Sequence, residues 1–174
     1  GLINCAVDKR LISKKNIGVT EFLANKCKIK KNNEVMMIYN KKLSVVPITT
    51  HINIQKVSSN ITKSIIFNKI KTIKFWFNKN LKKNPKIAVL GLNPHNGEMR
   101  SGSEEIKTII PALKKLKKFR VKIDGPLVAD TTFVNNYKKY NVVVGMYHDQ
   151  VLAPFKTLFH FDAINITLGL SYLR

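Results

Sequence analysis

The chain has 174 residues, 44% of them hydrophobic, which is enough to bury one substantial core, and an even composition argues against two independent domains. Its formal net charge of +21 suits nucleic acid or an anionic membrane surface as a partner, but only four of the 31 basic residues are arginine, the residue that contacts phosphates and bases through a bidentate fork. We therefore expect no nucleic-acid partner. Abundant Lys, Asn and Ile are typical of an AT-biased coding sequence, and a basic nucleic-acid-binding protein remains the alternative of another class.

The two cysteines, Cys5 and Cys27, show no metal-type spacing and are accompanied by no secretory segment. This usage is typical of a reducing cytoplasm, so we expect a cytoplasmic protein. The most apolar runs, residues 86–92 and 141–146, are far shorter than a membrane span requires. We therefore expect a soluble protein without a membrane partner.

The first elements form a strand pair followed by a helix. Residues 34–39 and 43–48 are β-branched or Met-rich runs separated by a polar turn, which predicts two strands. From residue 58 to about residue 81, isoleucines and Phe77 recur at three- and four-residue intervals. That spacing predicts one long helix with a single apolar face.

The second half alternates strands with a helix. Residues 86–92 form a short continuous apolar run, which is typical of a buried parallel strand. Ser103 followed by two glutamates predicts a capped helix that runs toward Lys118. Further strands are expected over residues 141–146 and 163–168. The alternation predicts an α/β fold with a mostly parallel sheet.

Three of the four histidines follow predicted strands. His51, His95 and His148 follow the second, third and fourth predicted strands within three residues, whereas His160 lies between two phenylalanines and is expected to be a structural or surface residue. The carboxyl ends of parallel strands form a shared crevice, so these three imidazoles can converge on one divalent metal ion. A single histidine after a strand is more often a hydrogen-bonded structural residue, and the spacing alone leaves both readings open.

Five sequence motifs carry a resemblance to a known family. They are Gly91-Leu-Asn-Pro-His-Asn-Gly-Glu98, Glu104-Glu-Ile106 with Ile110-Pro111, Gly125-Pro-Leu-Val-Ala-Asp-Thr131, Met146-Tyr-His-Asp-Gln150 and Asn165-Ile-Thr-Leu-Gly169. In this order they closely resemble the 4-hydroxythreonine-4-phosphate dehydrogenase family of pyridoxal phosphate biosynthesis. The resemblance implies a three-layer α/β/α fold like that of isocitrate and isopropylmalate dehydrogenases. It also implies a homodimer whose active sites draw on both subunits.

The resemblance also assigns roles to individual residues. It implies three metal ligands, His51, His95 and His148; four substrate contacts, Thr20, Lys156, Asn165 and Arg174; and two acidic residues, Asp130 and Asp149, that orient a ligand histidine or assist proton transfer. For each aspartate, a turn or helix-cap role is the alternative. Val19 replaces a histidine that contacts substrate in the family, and valine can neither donate nor accept a hydrogen bond.

The implied reaction is the NAD-dependent oxidation and decarboxylation of 4-phosphooxy-L-threonine to 3-amino-2-oxopropyl phosphate, with Zn, Mg or Co as the metal. Family members are about twice as long as this chain. We therefore expect residues 1–174 to be a single region, the central substrate- and metal-binding part of a longer dehydrogenase, without part of the N-terminal lobe and without the C-terminal tail. A truncated or decayed inactive homologue is the alternative within the same family.

Overall fold

In the computed structural model, the described residues are 2, 3, 22, 26, 34–134 and 136–170. The strands form a six-stranded sheet: β1 (Val35–Tyr39), β2 (Ser44–Pro47), β3 (Lys86–Leu90), β4 (Lys122–Leu127), β5 (Val142–Gly145) and β6 (Ile164–Leu168). The helices bounded within the described residues are α1 (Val57–Asn60), α2 (Lys63–Leu81), α3 (Ile110–Lys118), α4 (Ala129–Thr132) and α5 (His148–Phe159).

The sheet is mixed but mostly parallel, in the order β4-β3-β5-β2-β1-β6. Strands β4, β3, β5 and β2 are parallel, whereas β1 pairs antiparallel with both β2 and β6. The predicted strand pair at the start of the described region is therefore confirmed. Because β6 and β2 are both antiparallel to β1, they run in the same direction.

Alternating side chains of the strands pack into two cores, one on each face of the sheet. On one face, Val46, Val89 and Val144 are buried against apolar residues of α2 and α3. On the other face, Val45 and Val143 are buried with neighbours that include residues of α5. This period-two alternation places helices on both faces. The predicted three-layer α/β/α class is confirmed.

The predicted single helix over residues 58–81 is wrong at its start. The chain leaves the helical conformation at Ile61 and Thr62, and α2 begins at Lys63. The Oγ1 atom of Thr62 accepts a hydrogen bond of 3.2 Å from the backbone N–H of Ile65, which is a standard N-cap. The isoleucine spacing continues across this break and therefore does not reveal it. Thr62, a residue type that favours the N-cap position, was the sequence signal that could have located the break.

Strand β4 and helices α4 and α5 were not predicted from the sequence. Strand β4 contains Gly125-Pro126, a pair that usually marks a turn, and this pair obscured the strand. Helix α5 begins at His148 and contains Pro154, a residue that usually interrupts a helix, so the sequence of this segment did not indicate a helix. Within the described residues, the structure contains no helix that is both long and apolar enough to cross a lipid bilayer.

Candidate metal and substrate site

The three strand-end histidines lie at one edge of the sheet. His51 follows β2, His148 follows β5 and His95 follows β3, and these strands are parallel neighbours in the order β3-β5-β2. Their carboxyl ends therefore face the same side, where open α/β sheets bind ligands.

The imidazoles of His51 and His148 are close neighbours. Their ring centroids lie 5.8 Å apart, with the rings inclined at 43°. Two imidazoles bound to one tetrahedral metal ion at ordinary Zn–N distances place their centroids about 5 Å apart. The observed spacing is close to that value, so the distance between the two rings is compatible with two ligands of one metal ion.

His95 stands apart from this pair. It is exposed and opens a turn in which His95, Asn96, Gly97 and Glu98 all have left-handed backbone angles, with φ between 49° and 59°. Within residues 34–134 and 136–170, three side chains of the types His, Cys, Asp and Glu do not come together as a group that could hold a metal ion. Within the described part of a single chain, two of the three predicted metal ligands, His51 and His148, therefore lie together, and His95 does not join them.

The two aspartates differ in what they contact. Oδ1 of Asp149 lies 2.7 Å from Nδ1 of His148, so the carboxylate orients the ring and leaves Nε2 free to face a ligand. Asp130 is exposed in the first turn of α4, directly after β4 at the same edge of the sheet.

The two predicted substrate residues in the described part of the chain, Lys156 and Asn165, do not lie with the histidines. Lys156 is eight residues along α5 from His148, about 12 Å at the rise of an α-helix, and its Nζ lies 5.9 Å from the ring centroid of Phe161. Asn165 lies near the start of β6, opposite Ile38, and therefore at the sheet edge where β2 begins. Thr20, Val19 and Arg174 lie outside the described residues.

A buried carboxylate that sequence reasoning did not assign to the site supports the loop before His95. Glu105 is 0% exposed, and its Oε1 accepts hydrogen bonds of 2.8 Å from the backbone N–H groups of Leu92 and Asn93. Its Oε2 accepts a third bond, of 3.0 Å, from Nδ2 of Asn93. Burial raises the pKa of Glu105, but these hydrogen bonds outweigh burial and leave the pKa below its ordinary value.

Glu104 completes this support. Its carboxylate accepts hydrogen bonds from the Ser58 hydroxyl and, at 2.8 Å, from Nδ2 of Asn93. The bond from Ser58 is the main reason that the pKa of Glu104 is lowered, with the bond from Asn93 next. In the sequence the two glutamates indicated only the start of a helix, whereas in the structure their oxygens bind the loop that leads to His95. Their adjacency to the Gly91–Glu98 motif was the available signal.

Together, the fold and this edge define a class of protein: a three-layer α/β/α protein with histidines at the carboxyl ends of its parallel strands, the edge where open α/β sheets bind ligands. The family model of the pyridoxal phosphate biosynthetic protein PdxA matches residues 1–174, and the chain belongs to this family.

Curated relatives are named for two related activities. The chain is 46% identical over 158 residues to a 4-hydroxythreonine-4-phosphate dehydrogenase of Aquifex aeolicus (strain VF5), covering 90% of this chain and 48% of the relative. It is 36% identical over 141 residues to a D-threonate 4-phosphate dehydrogenase of Pectobacterium atrosepticum, covering 80% of this chain and 43% of that protein. The chain thus spans about half the length of the curated relatives that it matches.

The fold agrees with solved structures. The crystal structure of a 4-hydroxythreonine-4-phosphate dehydrogenase from Klebsiella pneumoniae superposes with a TM-score of 0.83 at 34% identity, covering 95% of this chain and 50% of that one. A terephthalate 1,2-cis-dihydrodiol dehydrogenase from Burkholderia xenovorans LB400 superposes with a TM-score of 0.79 at 22% identity, a likeness of fold alone.

Proposed function

We propose that the chain forms the metal- and substrate-binding part of a cytoplasmic NAD-dependent 4-hydroxythreonine-4-phosphate dehydrogenase. The enzyme oxidises and decarboxylates 4-phosphooxy-L-threonine to 3-amino-2-oxopropyl phosphate in vitamin B6 synthesis. The observation that carries this proposal is the placement of His51, His95 and His148 on adjacent parallel strand ends in a chain of this family.

His51 and His148 would hold the metal as a pair, and His95 would provide the third ligand from the same chain or from a second copy. Neutral imidazoles suit Zn and Co, and Mg is the third candidate. A divalent metal held there would supply Lewis-acid stabilisation of negative charge on a substrate oxygen, and NAD would be the hydride acceptor.

The other predicted residues bind and orient an anionic substrate. Lys156 and Arg174 supply cations to phosphate or carboxylate oxygens, and Thr20 and Asn165 supply uncharged donors. Holding both ends of the substrate fixes the reacting carbon against the metal-binding edge. Asp149 keeps the His148 ring in one orientation through the bond to Nδ1.

The separation of these groups favours a homodimer. Lys156 and Asn165 lie away from the strand-end histidines of their own chain, so a complete site is simplest to assemble from two copies. Exposed apolar side chains lie beside them: Phe161 is 89% exposed and Ile164 is 60% exposed. Such a patch is typical of a subunit interface.

The test is NADH formation from 4-phosphooxy-L-threonine, measured with and without a chelator, on this chain and on the complete reading frame. D-threonate 4-phosphate is assayed in parallel because one relative is named for it. Chelator-sensitive turnover by the complete protein supports the proposal. Turnover of neither substrate favours the inactive homologue, and salt-dependent retention on DNA would favour the basic nucleic-acid-binding alternative.

A further inference from the structure

The side chain of Gln150 joins the strand ends that carry His148 and His95. Its Oε1 accepts a hydrogen bond of 2.6 Å from the backbone N–H of Met146, and its Nε2 donates one of 2.7 Å to the carbonyl oxygen of Gly91. Met146 is two residues before His148, and Gly91 is four residues before His95. One primary amide therefore bridges both loops.

This bridge continues the sheet beyond its last backbone pair. The pairing of β3 with β5 ends at Val89 and Val144, and Gly91 and Met146 each lie two residues further on. At Gly91 and Met146, the side-chain amide of Gln150 provides one acceptor and one donor to the two backbones, as the backbone of a paired strand residue would. The two strand ends are held in register where their own hydrogen bonds have stopped.

A glycine leaves space for this amide. A Cβ atom added at Gly145 would lie 2.9 Å from Oε1 of Gln150 and 2.6 Å from Cγ1 of Val151. Any larger residue at position 145 would displace the side chain that makes the bridge. The Gly145 and Gln150 positions thus depend on each other.

Met146, the residue directly after β5, also anchors the loop that leads to His51. The carbonyl oxygen of Met146 accepts hydrogen bonds from the backbone N–H of Thr49, at 3.1 Å, and from its Oγ1, at 2.7 Å. Thr49 is two residues before His51. Hydrogen bonds at Met146 therefore connect all three histidine loops, with Gln150 providing the link to β3.

We propose that Gln150 is a positioning residue that sets the separation of the His95 and His148 loops. The effect of Gln150 on metal affinity rests on the proposed function. Its effect on the positions of the two loops in the absence of metal does not. An amide is required at this position because a carboxylate keeps the acceptor for Met146 and loses the donor to Gly91, and a thioether loses both.

The experiment compares Gln150→Met and Gln150→Glu with the parent chain. Ring resonances of the histidines are recorded by NMR without metal, and Co²⁺ is then titrated by visible absorption. His160 lies at the far end of α5 and is an internal control. Thr157→Ala, which removes the bond from Oγ1 to the carbonyl of Ala153, is the matched variant on the same helix.

We expect the resonances of His95 and His148 to move in Gln150→Met while that of His160 stays in place. Co²⁺ affinity should fall about 10- to 100-fold, the usual effect of losing support behind a metal ligand. Gln150→Glu should change the ring resonances and the Co²⁺ affinity less than Gln150→Met does. If Gln150→Met does not fold, the result for Gln150→Glu tests the role of Gln150. Thr157→Ala should match the parent chain.

Unmoved resonances of His95 and His148, or equal movement of all ring signals including that of His160, would overturn the proposal. If those two resonances move but the parent chain does not bind Co²⁺, Gln150 positions the loops and the proposed metal site is wrong. If His148→Ala abolishes Co²⁺ binding and Gln150→Met leaves both affinity and resonances unchanged, the metal site stands and the role of Gln150 is refuted.

Discussion

His148 and Asp149 are consecutive residues whose side chains meet, with Nδ1 of the imidazole 2.7 Å from Oδ1 of the carboxylate. This contact orients the ring at the first turn of α5. A carboxylate behind a ligand histidine fixes its tautomer and raises its basicity.

Asp149→Ala should therefore weaken Co²⁺ binding about 10-fold or more. Because Asp149 is 83% exposed, the free energy of unfolding should hardly change. Absorption titration with Co²⁺ measures the first effect and urea denaturation the second. His160→Ala is the control, and equal Co²⁺ affinity in Asp149→Ala and the parent chain would refute this role.

The lowered pKa of Glu105 predicts an acid sensitivity. Burial opposes ionisation of this carboxyl and raises its pKa. The hydrogen bonds from Asn93 and Leu92 outweigh burial and lower the pKa below its usual value of 4.5. Its stabilising effect is therefore present above that value and is lost as the pH falls through the lowered pKa of the folded state.

Glu105→Gln removes the charge and replaces one acceptor oxygen with a donor that faces these N–H groups. We expect a loss of about 1–3 kcal/mol at pH 7, with a smaller dependence of stability on pH between neutral and acidic conditions. Urea denaturation at a series of pH values measures both. The exposed Glu98→Gln is the control, and a variant that keeps the parent's acid dependence would contradict this account.

The sequence predicted the class of fold because its signals are local. The β-branched run around Val45 and the continuous apolar run around Val89 each specify a strand without help from distant residues. The strand-end placement of three histidines also followed from local patterns, since β2, β5 and β3 proved to be parallel neighbours.

What the sequence could not provide depends on contacts between distant residues. Gln150 meets Gly91 across 59 positions of the chain, and Glu105 binds a loop 12 and 13 residues earlier. The sequence around Gln150 or Glu105 does not indicate these distant hydrogen-bond partners. The lengths of the loops after β3 and β5 likewise do not reveal that His148 lies beside His51 and not beside His95.

Thr62 should stabilise α2 as its N-cap. Thr62→Ala removes the acceptor for the N–H of Ile65 and should cost about 1 kcal/mol of unfolding free energy. Thr72→Ala is the matched control, because the hydroxyl of Thr72 bonds to the carbonyl of Asn68 within the same helix and caps nothing. Chemical denaturation of both variants measures the difference. Equal stabilities would show that α2 does not depend on this cap.

Phe161 should belong to the interface between two copies of the chain. Its ring is 89% exposed and lies 5.9 Å from Nζ of Lys156, so covering the ring also brings this lysine to the second copy. Phe161→Ser should shift the protein from dimer to monomer in sedimentation experiments, because it removes apolar area that only a partner buries. Phe75→Ser is the matched control, since Phe75 is 65% exposed on α2, which packs on the opposite face of the sheet from α5. A parent chain that is monomeric at all concentrations, or a Phe161→Ser variant that remains dimeric, would contradict this assignment.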